Sequence, residues 1–165
     1  MKGGFKMYSL AGSEYIKQIV EEHSLSMFRA SYALCGNKAD AEDAVQEAFL
    51  RLIEKDPTFK DDEHEKAWLL RVTINITKNM LKSSHRTNLQ VNEDILYEKN
   101  QINEVIACVL TLDERYRSVI HLYYYEGYSI KEIASILKLP PATVGTRLSR
   151  ARKLLRNILE GDVEF

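Results

Sequence analysis

Residues 127–159 read GYSIKEIASILKLPPATVGTRLSRARKLLRNIL and contain the local signals that decide the fold. Ser129, followed three residues later by Glu132, predicts a capping box, in which each side chain satisfies a backbone amide of the other residue. A short helix of about two turns should follow, because Pro140 interrupts the pattern after a few residues. Pro141 fits the first position of a second helix, where the amide that proline lacks would have no partner.

Apolar residues in this stretch follow the helical repeat of three and four positions. The expected buried positions are Ile130, Ile133, Ala134 and Leu137 in the short helix and Val144, Leu148, Ala151 and Leu155 in the long one. The small side chain of Ala134 lets the two helices cross closely, as a helix-turn-helix requires. The sequence therefore predicts a helix-turn-helix in the C-terminal part of the chain.

The side of the long helix opposite its apolar stripe is strongly basic. No acidic residue occurs in residues 139–159, which contain five cations: Arg147, Arg150, Arg152, Lys153 and Arg156. A DNA major groove accepts one helix, with residues near the helix start at base edges and later cations beside phosphates. This pattern favours binding to duplex DNA. The alternative is a solvated basic helix on a helical adaptor protein.

The rest of the chain carries its charges in separate blocks, although the formal net charge of all 165 residues is only −1. Residues 38–65 contain ten acidic and four basic residues, whereas residues 66–92 contain five basic residues and no acidic one. The near-neutral total thus conceals one acidic surface, suited to a protein partner, and two basic surfaces, suited to DNA.

Composition also excludes several classes of protein. No stretch without a charged residue or histidine exceeds eight residues, far short of a membrane span of about 20. The N-terminus has no continuous apolar segment behind it, so a secretory signal is not expected. Cys35 and Cys108 are isolated, without any metal-ligand spacing, which favours buried thiols in a reducing compartment. We therefore expect a cytoplasmic protein without direct membrane insertion, metal or cofactor.

The helical pattern continues through almost the whole chain, and no segment shows the strict alternation of a strand. Three amphipathic helices precede a polar stretch, and their apolar faces include Ile19, Met27, Val45, Leu52, Leu69 and Ile76. The polar stretch, residues 83–101, is typical of a flexible linker. We expect an all-α fold of two small helical domains, residues 1–82 and residues 102–165, the second of which contains the helix-turn-helix.

Four short motifs resemble those of bacterial RNA polymerase sigma factors of the extracytoplasmic-function (ECF) group. In chain order they are AEDAVQEAF at 41–49, WLLRVTIN at 68–75, GYSIKEIA at 127–134 and TVGTRLSRAR at 143–152. The first is similar to the helix that binds core RNA polymerase in that family, and the second to the helix that engages the minus-ten promoter element. The last two are similar to the reader of the minus-thirty-five element. The resemblance covers residues 13–159.

The resemblance implies a function that residue spacing alone does not show. Proteins of this family bind core RNA polymerase, direct it to promoter DNA and help to open the duplex. They are commonly held inactive by an anti-sigma protein. The resemblance implies no small-molecule substrate and no catalytic residue, so the chain is not expected to be an enzyme.

The resemblance also assigns roles to individual residues. The implied polymerase contacts are Asp43, Gln46 and Glu47. The implied minus-ten contacts are Phe59, Arg71, Asn75, Lys78 and Asn79. The implied minus-thirty-five contacts are Ser129, Lys131, Thr143, Thr146, Arg147, Arg150, Lys153 and Arg156. Arg147 is the first candidate for a base contact, because a bidentate arginine–guanine pair discriminates between bases.

Other interpretations of the same residues stay open. A stand-alone repressor or activator would explain the helix-turn-helix but would leave the acidic helix and the helix at 68–75 without a role. An enzyme would need a phosphate-binding glycine loop, paired carboxylates in a cleft or a metal-ligand cluster, and the sequence offers none of these. Phe59 is alternatively a residue that packs its loop onto the core, and we expect Trp68 and His23 to be structural.

Overall fold

The computed structural model describes residues 10–83 and 102–161, and almost all of the predicted linker lies outside them. These residues form seven α-helices and no strand: α1 (Leu10–Cys35), α2 (Lys38–Lys55), α3 (Asp62–Ser83), α4 (Ile102–Thr111), α5 (Glu114–Ile120), α6 (Ile130–Leu137) and α7 (Pro141–Glu160). A π-helical turn, His121–Tyr125, extends α5. The predicted all-α fold is confirmed. We refer to α1–α3 as the N-terminal unit and to α4–α7 as the C-terminal unit.

Local side-chain chemistry fixes the boundaries of α2. The Asn37 side chain accepts a hydrogen bond of 3.1 Å from the Asp40 amide, which satisfies one of the amides that have no partner at the helix start. Asp56 ends the helix with a φ of 43°, directly before Pro57, whose ring disfavours a helical residue in front of it. Helix α2 therefore begins at a side-chain cap and ends where the following proline disfavours a further helical residue.

The N-terminal unit is built around a core contributed by all three of its helices. Its buried members are Ile19, Met27, Ala44, Val45, Ala48, Leu52, Leu69 and Ile76. The apolar stripes read from the sequence therefore face one another as expected. In the C-terminal unit three positions differ from the prediction, because Ile130 is 37% exposed and Leu137 and Leu155 are only half-buried. Ile136, which was not predicted to be buried, is 4% exposed. Ile130 is the first residue of α6, where the side chain lies at the edge of the core.

A second core joins the two units, which the sequence did not predict. Its members from the C-terminal unit include Val119, Leu122, Ile133, Val144, Leu148 and Ala151, and those from the N-terminal unit are Ala30, Leu34, Leu70 and Ile74. Helices α1 and α3 are thus apolar on two sides, since each also contributes to the core of the N-terminal unit. The two units pack directly against each other through these residues.

Glu126 lies buried where the two units meet, with a side chain that is 6% exposed. Its carboxylate accepts a 2.7 Å hydrogen bond from the Ser26 hydroxyl and contacts the Lys66 ammonium at 3.0 Å. His121 Nε2 lies 3.3 Å away. Burial alone would raise the pKa of this carboxyl, but its contacts with His121, Ser26 and Lys66 outweigh burial and lower the pKa from 4.5 to about 2.

We expect Glu126→Gln to reduce the free energy of unfolding by about 2 kcal/mol near neutral pH, because Lys66 and the other donors lose a charged partner. The folded-state pKa is depressed, so the carboxylate contributes fully above its ordinary value of 4.5, and the contribution is lost as the pH falls toward 2. Urea unfolding across this range measures the difference between the variant and the unchanged protein. Glu160→Gln, at an exposed carboxyl, is the matched control. A difference that stays constant well below pH 4.5 would contradict this contribution.

Candidate nucleic-acid interface

The turn between α6 and α7 forms as the sequence predicts. The Ser129 hydroxyl accepts from the Glu132 amide at 3.3 Å, and the Glu132 carboxylate accepts from the Ser129 amide at 2.8 Å, which completes the capping box. Lys138 ends α6 in the left-handed conformation, with a φ of 52°. Pro140 then precedes α7 without a side-chain cap, and Pro141 occupies its first turn. The helix-turn-helix is confirmed.

A groove along the first half of α7 collects four of the eight residues implied in duplex recognition. Its lining consists of Ala142, Thr143, Thr146, Arg147 and Arg150 of α7 together with Arg115 and Tyr116 of α5. Spacings of three and four positions place Thr143, Arg147 and Arg150 on one side of the helix. The groove therefore combines hydroxyl groups with guanidinium groups, which can donate hydrogen bonds to base edges and phosphate oxygens.

Arg115 is a component of this groove that sequence reasoning missed. Its Nη2 donates to Asp113 Oδ2 at 3.0 Å, and its guanidinium lies 5.6 Å from the ring centre of Tyr116. The hydrogen bond from Arg115 lowers the pKa of the Asp113 carboxyl. The position of Arg115 in the first turn of α5, after the capping Asp113, was visible in the sequence. Its proximity to α7 depends on tertiary packing, which no local pattern specifies.

Arg152 belongs to the basic side of α7 in the sequence, but in the structure its guanidinium contacts aromatic side chains. Its Nε donates to the Tyr124 hydroxyl at 2.6 Å. The guanidinium also lies 5.4 Å and 5.6 Å from the ring centres of Tyr123 and Tyr124. The hydrogen bond to Tyr124 raises the pKa of Arg152. This arginine therefore ties α7 to the π-helical turn of its own unit.

Four other residues implied in duplex recognition lie outside the groove. Lys153 and Arg156 are exposed farther along α7. Arg156 lines a different groove beside α4, on the side of α7 opposite Arg147, because nine residues rotate the helix by about two and a half turns. Ser129 and Lys131 are exposed at the start of α6. The structure thus gathers four of the eight implied residues into one groove and separates the others.

The three residues implied in polymerase binding lie together on α2. Asp43, Gln46 and Glu47 are all exposed, and Glu47 accepts a 3.0 Å hydrogen bond from Arg51 one helical turn later. Leu50 lies on the same side and is 56% exposed. A single exposed apolar side chain is common on protein surfaces, so Leu50 adds apolar area to this side of α2 without by itself identifying an interface. Sequence reasoning assigned Leu50 no role, although its position seven residues after Asp43 places both on one side of the helix.

A groove between α2 and α3 joins this surface to the basic helix. Its lining consists of Asp43, Glu47, Arg51, Ile76, Asn79, Met80 and Ser83. Asn79, implied in minus-ten recognition, therefore shares a groove with two residues that are implied in polymerase binding. The sequence pattern placed Asn79 only among the cations of α3.

The remaining minus-ten candidates on α3 differ in their exposure. Asn75 is exposed, whereas Arg71 and Lys78 are half-buried. Burial lowers the pKa of the Lys78 ammonium, the Glu114 carboxylate raises it, and the Arg147 guanidinium lowers it. Lys78 thus lies beside the C-terminal unit, close to the first candidate for a minus-thirty-five base contact.

Phe59 lies against the core of the N-terminal unit. Its ring centre is 5.8 Å from that of Trp68 and 5.6 Å from that of His64, and both contacts are edge-on. Phe59 and Trp68 both pack on the periphery of that core. The structure places the two aromatic residues as the packing interpretation expects.

Glu65, in the acidic segment before Trp68, points inward. Its Oε1 lies 3.2 Å from His23 Nε2, and its Oε2 accepts from the Tyr15 hydroxyl at 2.5 Å. Burial, reinforced by the contact with Glu65, raises the pKa of Tyr15 to about 12. This network fastens α1 to the start of α3, and the structural role expected for His23 is confirmed.

The titratable side chains in the described ranges, 10–83 and 102–161, form no cluster of His, Cys, Asp and Glu that could hold a metal ion. Within the same ranges, every helix is too short or too polar to cross a membrane. Cys35 is buried and Cys108 is half-buried, and neither forms a disulfide. Burial raises the pKa of the Cys35 thiol, which favours its protonated, unreactive form.

Comparison with known families agrees with this geometry. The profile described as Sigma-70 region 2 matches residues 19–87, which include α2 and α3. The profile described as Sigma-70, region 4 matches residues 102–155, which include the helix-turn-helix. The two profiles occur in the order that the sequence motifs predicted.

Individual relatives carry the name of the same family, and a solved structure shares the fold. The ECF RNA polymerase sigma factor SigW of Bacillus subtilis is 27% identical, over 96% of this chain and 96% of its own length. The ECF RNA polymerase sigma factor SigE of Mycolicibacterium smegmatis is 28% identical over 86% of this chain, which spans 60% of that longer protein. The sigma factor RpoE of Bartonella quintana, solved in complex with the anti-sigma factor NepR, superposes with a TM-score of 0.72 at 22% identity, over 91% of this chain and 99% of that one.

The two profiles, the relatives and the all-α fold are mutually consistent. Both profiles also match parts of the chain in which an acidic helix or a basic helix exposes its charged side. The chain therefore belongs to the ECF group of RNA polymerase sigma factors, which bind core RNA polymerase and direct it to specific promoters.

Proposed function

We propose that three surfaces of the chain divide the steps of transcription initiation between them. In this assignment α2 binds core polymerase, α3 engages the minus-ten element and α7 reads the minus-thirty-five element. The observation that carries the proposal is the groove of α7, where Thr143, Thr146, Arg147 and Arg150 converge. We further propose that residues 1–82 and residues 102–165 act as separate functional domains on promoter DNA, joined by residues 83–101.

The properties of the α7 groove support duplex recognition. Arg147 is half-buried in this groove beside Thr143 and Thr146, and a bidentate guanidinium is the commonest specific partner of guanine. Arg150 is exposed beside it and suits either a base or a phosphate. Arg115 adds a cation from the opposite wall, where it can neutralise a phosphate and fix the position of the helix on the duplex. Lys153, farther along α7, suits a phosphate.

The properties of α2 support binding to a protein. Asp43, Gln46 and Glu47 offer carboxylate and amide groups to a basic or polar partner, and Leu50 offers apolar area at the centre of the same side. A small apolar centre with a polar rim is the usual arrangement of protein interfaces. We propose that this surface binds the clamp helices of the largest polymerase subunit, with Leu50 as its apolar centre.

The properties of α3 support contact with an opened strand. Asn75 is exposed in a helix interior, where asparagine is unfavourable for the helix and is retained more readily if a ligand uses it. Its amide can both donate to and accept from base edges. Arg71 and Lys78, on the same helix, can hold the backbone of a displaced strand. We propose that Asn75 is the central minus-ten residue and that Phe59 supports the adjacent loop.

The proposal includes the cellular setting. We infer that the chain acts in the cytoplasm, as a regulator without catalytic activity of its own. The similar RpoE was solved with an anti-sigma factor, and we propose that this chain too is controlled by an anti-sigma protein. Transcription in vitro with core polymerase and a genomic promoter library tests the whole proposal. Transcripts that require both the chain and a shared pair of promoter motifs are expected, and their absence would refute it.

The polymerase surface is tested by changing Asp43, Gln46 and Glu47 together to alanine. We expect binding to core polymerase to weaken about tenfold or more, while circular dichroism remains that of the folded helical chain, since all three side chains are exposed. The matched control changes Glu14, Gln18 and Glu21, an exposed set of the same chemistry on α1. Equal affinities of the two triple variants for core polymerase would refute the assignment.

Duplex recognition is tested by comparing Arg147→Ala with Lys153→Ala in the polymerase-bound chain. Loss of a base contact at Arg147 should relax sequence preference at one position by about 1–3 kcal/mol. Loss of a phosphate contact at Lys153 should weaken binding evenly and flatten the logarithmic salt dependence by about 0.9. Arg152→Gln is the control, because its guanidinium is held by Tyr124, and it should leave the salt dependence unchanged. If Arg147→Ala lowered affinity equally for all sequences, Arg147 would not read a base.

Strand opening is tested by Asn75→Ala. We expect core binding and duplex minus-thirty-five binding to persist, because neither α2 nor α7 is altered. Open-complex formation should fall by about tenfold or more, since a flipped base costs a few kcal/mol to unstack and the variant lacks the group that holds it. Permanganate reactivity of thymines on a linear promoter measures opening, and a pre-melted bubble template should restore it. Unaltered reactivity on the linear promoter would exclude a role for Asn75 in opening.

A further inference from the structure

The two units are fastened to each other by polar contacts at one end of their shared core. Glu126, at the end of the π-helical turn, accepts from Ser26 of α1 and pairs with Lys66 of α3. Lys66 also lies 5.9 Å from the ring centre of Tyr128. Ionic contacts with a side chain that is 6% exposed are little screened by solvent. This end of the interface therefore holds the C-terminal unit to two helices of the N-terminal unit at once.

A second polar contact lies near the other end of α1. Arg117 of α5 is 5% exposed, and its Nη1 donates to the backbone carbonyl of Leu34 in the last turn of α1. Carbonyl groups at the end of a helix have no partner within the helix and carry a partial negative charge. The last turn of α1 contains no basic residue of its own. The cation that complements this helix end is thus supplied by the other unit.

An aromatic contact lies beside the Glu126 end of the interface. The guanidinium of Arg29 on α1 lies 5.4 Å from the ring centre of Tyr125. Tyr125 also stacks on His121, with ring centres 5.1 Å apart. Polar, aromatic and apolar contacts are therefore continuous along the side of α1 that faces the C-terminal unit.

This arrangement cannot span a promoter. The minus-ten and minus-thirty-five elements lie about 25 base pairs apart, which corresponds to about 85 Å of duplex. In the structure, Leu70 and Ile74 of the proposed minus-ten helix share one buried core with Val144 and Leu148 of the proposed minus-thirty-five helix. Even α1, with 26 residues, is only about 39 Å long. Helices α3 and α7 can therefore reach their two elements together only after the units separate.

We propose that Glu126 with Ser26 and Lys66, together with Arg117 at the end of α1, form an intramolecular clasp that holds the free sigma factor in a closed, promoter-incompetent state. The clasp rests on the proposed assignment of α3 and α7 to two promoter elements. It needs no other protein, so it acts before any anti-sigma partner binds. Core polymerase binds the exposed side of α2. It selects the open state if the polymerase surfaces that bind the two units can be reached only when the units are separated.

The clasp has a thermodynamic consequence. If only a fraction of the free chain is open, its apparent affinity for an open-state partner falls by that fraction. A variant with a weakened clasp should therefore bind core polymerase more tightly, although no residue of the polymerase surface has changed. Linkage makes the effect reciprocal, because whatever binds the open state also breaks the clasp.

Charge reversal at Lys66 and Glu126 tests the clasp in the full-length chain. Lys66→Glu or Glu126→Lys alone brings like charges together, and the double variant restores an ion pair with reversed polarity. Small-angle X-ray scattering without DNA or polymerase should give a radius of gyration of about 15 Å for the unchanged compact chain. The single variants should be larger by about a third, and the double variant should return toward the original value.

A matched control reverses another lysine–glutamate pair. Lys38 and Glu42 are exposed and 3.8 Å apart within α2, so their reversal should leave the radius of gyration unchanged. Circular dichroism identifies a single variant that has lost helicity, and Lys66→Gln or Ser26→Ala then takes its place. Folded single variants as compact as the unchanged chain would overturn the clasp, and so would a double variant that stays expanded.

The same variants separate the clasp from the proposed function. The open single variants should bind core polymerase about tenfold more tightly than the double variant. Expansion with no gain in polymerase affinity would overturn the inhibitory role of the clasp. Failure of promoter-specific transcription by the unchanged chain would instead refute the assignment of the promoter-reading helices, and it would leave the scattering result unaffected.

Discussion

The packing of α3 on two opposite sides is the constraint on which the rest of the structure depends. Leu69 and Ile76 point into the core of the N-terminal unit, whereas Leu70 and Ile74 point into the core that joins the two units. Because both sides are buried, only a narrow strip of α3, which includes Asn75, stays exposed. The same helix therefore supports its own domain, holds the second domain and supplies the residues proposed to engage the opened strand.

Burial on two sides brings polar side chains into the interior, and α3 satisfies them locally. The Thr73 and Thr77 hydroxyls donate to the carbonyls four residues earlier, at 2.8 Å and 2.9 Å. The Thr77 hydroxyl also lies 2.6 Å from that of Ser31 on α1. An unpaired buried hydroxyl would cost about 1–3 kcal/mol, so these bonds let α3 keep small polar residues in a core. Small side chains in turn allow α1 to approach closely, which brings Ser26 of α1 and Lys66 of α3 within reach of Glu126.

Sequence reasoning succeeded where the cause is local and stopped where the cause is tertiary. The capping box at Ser129 and the helix start at Pro141 depend on residues within one turn, and both are confirmed. The grouping of Thr143 with Arg147 follows from helical periodicity alone. In contrast, the hydrogen bond from Arg152 to Tyr124 and the burial of Glu65 against His23 depend on which helices pack together. The shared core was missed for the same reason, since periodicity identifies an apolar side but not the helix that covers it.

The distribution of charge explains how one small chain can keep both a closed and an open state accessible. A purely apolar interface between the units would resist separation, whereas buried ionic contacts at its edge regain most of their lost interaction from water when they open. Glu126 and Arg117 therefore specify the relative position of the two units in the closed state and still allow the units to separate. Lys78 adds to this balance, because its ammonium is partly desolvated beside Arg147 in the closed state and would regain solvent or a phosphate in the open state. Helix α3, which is proposed to engage the opened promoter strand, thus contributes part of the free energy that favours separation of the two units.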